Sequence, residues 1–77
     1  MLLRRLRRVA AVGRMIASPS LTPAESRVLE AMRTADNEAE AARRLGLSRH
    51  TVDAHLRNAR AKYGVRSTRQ LLAVTFA

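Results

Sequence analysis

Ala41-Ala42-Arg43-Arg44-Leu45-Gly46-Leu47-Ser48-Arg49-His50-Thr51-Val52 sets a short alanine-bearing segment, a glycine and a serine-led segment in succession. Gly46 accepts the left-handed backbone that ends a helix. Ser48 offers a side-chain oxygen to cap the next one. The first helix is expected over 38–45, with Ala39 or Ala41, Ala42 and Leu45 facing inward. The second is expected over 49–63, because Val52, Leu56, Ala59 and Tyr63 fall four, three and four residues apart on one face. A short helix, a glycine turn and a capped second helix form the helix-turn-helix pattern. Small residues on the first helix let the second cross it closely. The second helix then presents His50, Asp53, Ala54, Arg57, Asn58 and Ala61 outward. That face is polar, and its two alanines permit close approach to base edges in a DNA major groove. Taken by itself, the pattern also fits an ordinary helical hairpin with a solvated face.

The flanks read as further helices. Thr22-Pro23-Ala24-Glu25 joins a cap, a proline suited to the first helical position and the glutamate of a capping box. It opens a helix expected over 23–34, with Val28, Leu29 and Met32 inward, and Ala35-Asp36-Asn37 forms the turn after it. Gly64 ends the 49–63 helix, and Ser67-Thr68-Arg69-Gln70 is a second capping box. It opens a last helix carrying Leu71, Leu72, Val74 and Phe76. Ahead of all these, Leu2, Leu6, Val9, Gly13 and Ile16 follow helical spacing, and Leu3, Val12 and Met15 widen the stripe. Ser18-Pro19-Ser20 breaks that helix. The expected organisation is a basic amphipathic helix and linker over 1–20, then an all-α domain over 21–77. No strand is indicated.

Composition sets the limits of function. The chain has 77 residues, and 14 of them are alanine, so few large side chains remain for a core. A module of three to five short helices fits; an enzyme with a deep pocket does not. The absence of cysteine rules out disulfides and a thiolate zinc site. Fifteen Lys and Arg against six Asp and Glu give a net charge of +9, which makes a polyanion the first partner to consider. The charge is not scattered. Residues 1–20 carry +5, residues 21–42 carry −3 and residues 43–77 carry +7. The largest share therefore lies on and around the helix-turn-helix. No apolar run is long enough to span a membrane, and arginines interrupt the N-terminal segment too often for a signal peptide.

Residues 21–76 resemble the LuxR-type (GerE/NarL-like) DNA-binding domain. The resemblance is carried by Leu21-Thr22-Pro23-x-Glu25-x-x-Val28-Leu29, by Glu40-x-Ala42-x-x-Leu45-Gly46-Leu47-Ser48, by Thr51-Val52-x-x-His55-Leu56 and by Lys62-Tyr63-Gly64-Val65-Arg66-Ser67, with the spacing kept through all four blocks. It implies a four-helix domain whose third helix reads the major groove and whose fourth often supplies a dimer contact. It also implies double-stranded DNA as partner and transcriptional regulation as function. Asp53, Ala54 and Arg57 match positions that reach bases, and Thr51 and Lys62 match positions that contact phosphate. His55 matches a histidine near the backbone side of the helix. Three residues depart from the pattern. Asp53 stands where many members carry lysine or another polar donor, Ala41 where a branched apolar residue is usual, leaving the core underfilled there, and Glu38 where asparagine is common. The preferred DNA sequence therefore does not carry over.

The expected base readers are Asp53, Ala54, Arg57, Asn58 and His50. The expected phosphate contacts are Ser48, Arg49, Thr51, Lys62, Arg66, Arg43 and Arg44. Several have a plainer reading: a cap for Ser48, a helix-dipole partner for Asp53, a helix-packing role for His50, a solvated face for Arg43 and Arg44 and a structural hydrogen bond for Arg66. A dimer contact is expected at Leu71, Leu72 and Val74, or through the N-terminal helix. That helix has three other readings: a stripe laid on the domain, a basic arm on DNA, or a membrane-surface helix. His50 and His55 lie five residues apart, do not share a helix face, and have no cysteine beside them, so no metal is expected. No cofactor is implied, and no catalytic constellation is visible. The alternative function is a protein-interaction module binding RNA polymerase or another regulator. A cytoplasmic, nucleoid-associated protein, bacterial or phage-encoded, is the expected setting.

Overall fold

A computed structural model describes residues 20–76. The expected helix over 2–17 lies outside the described residues. Within them are four helices and no strand: α1 (Pro23–Met32), α2 (Glu38–Leu45), α3 (Arg49–Tyr63) and α4 (Thr68–Thr75). α1 packs against α2 and α3, α2 against α3, and α3 against α4. α3 is therefore the central element.

Local chemistry fixes each boundary. Thr22 Oγ1 accepts the Glu25 N–H while Glu25 Oε1 accepts the Thr22 N–H, both at 3.0 Å, so the capping box of α1 is closed. Asn37 caps α2 and Ser48 caps α3. Gly46 and Gly64 take φ of +69° and +68°. After each, the next residue's N–H reaches back five residues, Leu47 to the Ala42 carbonyl at 2.9 Å and Val65 to the Arg60 carbonyl at 3.1 Å. Leu47 and Val65 then pack against the core, completing the same helix stop twice.

α1 is shorter than expected, ending at Met32 rather than residue 34. The N–H groups of Arg33 and Thr34 reach back only three residues, to the carbonyls of Glu30 and Ala31 at 3.3 Å, so the chain tightens into a turn. The second capping box also differs. Ser67 Oγ accepts the Gln70 N–H, but Gln70 Oε1 accepts from Arg66 rather than from Ser67. The return arm has moved one residue outward.

The core consists of Val28, Leu29, Ala42, Val52, Leu56, Ala59 and Leu71, with Leu21, Met32, Leu45, Leu47, Tyr63, Val65 and Leu72 packed around it. Of the two candidates on α2, Ala41 is the buried one and Ala39 is half-buried. Leu71, expected at a dimer surface, is 0% exposed. Leu71 is taken up by the core, which corrects that expectation for this residue. Leu72 is half-buried, and Val74 remains 52% exposed. Phe76, just after α4, lies against Arg33, whose guanidinium stands 4.6 Å from the ring centroid.

Candidate nucleic-acid interface

The outer face of α3 follows from the inner one. Val52, Leu56 and Ala59 are fully buried. At 3.6 residues per turn, His50, Asp53, Ala54, Arg57, Asn58 and Ala61 then lie opposite them. His50, Arg57, Asn58 and Ala61 are exposed, while Asp53 and Ala54 are half-buried beside them. All five expected base readers thus share one stripe. Nothing among the described residues covers its exposed members.

Two of these residues engage each other. Arg57 Nε stands 3.3 Å from Asp53 Oδ2, an i,i+4 ion pair along α3. The four-residue spacing of these opposite charges is its signal in the sequence.

The expected phosphate contacts divide into two groups. Arg43, Arg49 and Arg66 are exposed and make no ion pair among the described residues. Arg44 and Lys62 are engaged within the domain. Arg44 donates to Thr34 Oγ1 at 2.7 Å and to Glu40 Oε2 at 3.2 Å, tying α2 to the turn after α1. Glu40 also accepts the Asp36 N–H at 2.6 Å. That bond is the main reason its carboxyl is held below the usual range, with the Arg44 and Arg43 charges adding to it. Lys62 Nζ donates to Glu25 Oε1 at 2.7 Å, joining the last turn of α3 to the first turn of α1.

Glu25 is the one buried charged residue of the described core, 4% exposed. Its hydrogen bond from Lys62 and then that from the Thr22 N–H pull its pKa below the ordinary value, against the upward push of burial. The nearby His55 pulls in the same direction. His55 therefore lies on the Glu25 side of α3, half-buried and off the outer stripe.

At the start of α3, Ser48 Oγ accepts the Thr51 N–H at 3.0 Å and donates its own hydrogen to Thr51 Oγ1 at 2.9 Å. Ser48 thus caps the helix with its oxygen and gives its proton to the Thr51 hydroxyl. Thr51 keeps its hydroxyl hydrogen for an outside acceptor. A further residue, Arg60, was not among the expected site residues. It donates to Thr68 Oγ1 at 3.2 Å and links α3 to α4 across the Gly64 turn.

No group of three or more potential metal ligands gathers among the described residues, and no helix among them is long and apolar enough to cross a membrane. The outer face of α3 thus carries exposed donors and acceptors, and Arg43, Arg49 and Arg66 are exposed without an ion pair among the described residues.

The model of the GerE family, bacterial regulatory proteins of the luxR family, matches residues 19–75. No curated protein and no solved structure matches the chain.

Proposed function

The chain belongs to the luxR family of bacterial regulatory proteins, a family of DNA-binding transcription regulators rather than of enzymes, and from that premise we propose that it binds double-stranded DNA sequence-specifically, with α3 in the major groove. The observation that carries this reading is the outer face of α3. His50, Asp53, Ala54, Arg57 and Asn58 lie on it together, and none belongs to the core. Arg57 and Asn58 supply donors and acceptors of the kind that read guanine and adenine, and Ala54 leaves room for the approach. Arg43, Arg49 and Arg66, without ion pairs among the described residues, hold phosphates around that groove, and Thr51 adds a hydroxyl. Lys62 and Arg44 contribute charge from fixed positions, because their partners hold them.

Two copies bind together on a palindromic site, with Val74 and Leu72 of α4 at the contact. Val74 is the most exposed large apolar residue described on α4. Residues 1–20 are proposed as a separate segment ahead of a domain over 21–77; the family match runs over residues 19–75.

Selection of bound duplexes from a random pool, followed by titration of the winners, tests the reading. It predicts an enriched palindromic sequence and binding that weakens steeply with added salt. A protein that captures no duplex, yet is retained by RNA polymerase, would instead support an interaction module.

A further inference from the structure

We infer that Asp53 does not read a base but positions Arg57, and that the pair together selects one guanine in each half-site. This rests on the proposed reading of DNA by α3 and adds to it the identity of one base and a division of labour between two residues.

Both side chains lie on the outer stripe, 44% and 57% exposed, and no core contact dictates their pairing. The closest approach is from Arg57 Nε to Asp53 Oδ2 at 3.3 Å. Nε is the donor nearest the backbone of the side chain. An ion pair made on that side, with no hydrogen bond between the two side chains, leaves the two terminal Nη groups at the end of the guanidinium for an outside partner. Two parallel N–H groups on a rigid plane match the O6 and N7 acceptors of guanine, and no other base offers two acceptors side by side in the major groove. A free arginine loses considerable rotamer freedom on binding. A carboxylate one helical turn earlier restricts that freedom beforehand, so less is lost when the base is engaged.

The carboxylate has a second effect. Asp53 is the only acid in residues 43–77, and it stands in the middle of the reading stripe. Left unpaired near DNA, it would repel phosphate. Paired with Arg57, it lowers the charge that α3 offers to any duplex while leaving the donors that recognise guanine. Non-specific affinity falls and discrimination remains, which is how a strongly basic protein separates its site from bulk DNA.

A cycle of four proteins tests this: the full-length wild type, Asp53→Ala, Arg57→Ala and the double variant. Each is titrated with the selected duplex, with duplexes altered singly at each base pair, and with a random duplex. Arg57→Ala is expected to lower the preference for one guanine by about tenfold. Asp53→Ala is expected to lower preference at that same base pair by about twofold, the size of a surface i,i+4 pair, and to tighten binding to the random duplex. In the Arg57→Ala background, Asp53→Ala should leave base preference unchanged. Asp53→Glu, which can still reach Nε, should retain most of the guanine preference. The inference is overturned if Asp53→Ala erases preference at a different base pair, or acts equally with and without Arg57, because Asp53 would then read its own base. It is also overturned if Asp53→Ala changes nothing. Failure of the wild type to prefer any duplex overturns the underlying reading as well, and the random-duplex titration tells the two failures apart.

Discussion

Glu25 does two tasks with one carboxylate. It closes the capping box of α1 and receives the ammonium of Lys62 from the far end of α3. The first task is legible in Thr22-Pro23-Ala24-Glu25, because capping is local. The second is not, because 37 residues separate the partners and only the packing of α1 on α3 brings them together. Only the family resemblance assigns Lys62 a role, a phosphate contact, and its bond to Glu25 is not legible from it. Removing the charge of Glu25 should be costly. Glu25→Gln is expected to lose about 1–3 kcal/mol of stability at neutral pH, because the Lys62 ammonium loses its charged partner. The folded pKa of Glu25 lies below its ordinary value. Its stabilisation is thus complete above the unfolded value and is lost as pH falls through the folded one. Urea denaturation should show the gap between wild type and Glu25→Gln closing in acid. A gap that stays constant would contradict the assignment.

α3 was legible almost to the residue, because the Ser48 cap and Gly64 bracket it; for α2 the Gly46 stop was legible, while Asn37, its cap, reads from the sequence only as the end of a turn. The signals for α1 and α4 were less complete. Nothing in Arg33-Thr34 says that the chain tightens there, and periodicity alone could not tell which of Leu71 and Leu72 faces α3. The turn between α2 and α3 sets the angle at which the reading helix is presented. A Cβ added at Gly46 would meet nothing within 4 Å, so the cost of Gly46→Ala is that of its φ of +69° alone. That cost is about 1 kcal/mol. Ser48→Ala should cost a similar amount, about 1 kcal/mol, through loss of the cap. Both values can be read from denaturant melts. A loss of several kcal/mol at Gly46 would mean that side-chain packing, not backbone conformation, holds the turn.

Across the whole molecule, the net charge of +9 pointed to a polyanion without choosing one. The fold divides its basic residues into those already engaged and those left over. That distinction predicts unequal effects on salt dependence. Arg43→Ala and Arg66→Ala should each lower the slope of log affinity against log salt by about 0.9, with base preference unchanged. Arg44→Ala should lower it less, because Arg44 is held by Glu40 and Thr34. Equal effects at all three would mean that the intramolecular bonds of Arg44 give way on DNA. The dimer belongs to this scale too. With Leu71 consumed by the core, the surface left on α4 is small, and Val74→Glu should abolish paired occupancy of a palindrome while leaving half-site binding intact, as light scattering of the complexes would register. The +5 of residues 1–20 lies outside the described residues.

Whether α3 reads sequence is decided by titrating the wild type and Arg57→Ala against the selected duplex and a random one at fixed salt. The wild type should bind the selected duplex at least about a thousandfold more tightly than the random one. Arg57→Ala should lose about tenfold on the selected duplex and far less on the random one. Equal binding of both duplexes by the wild type, or full retention of preference by Arg57→Ala, would contradict the assignment of α3 as the reading helix.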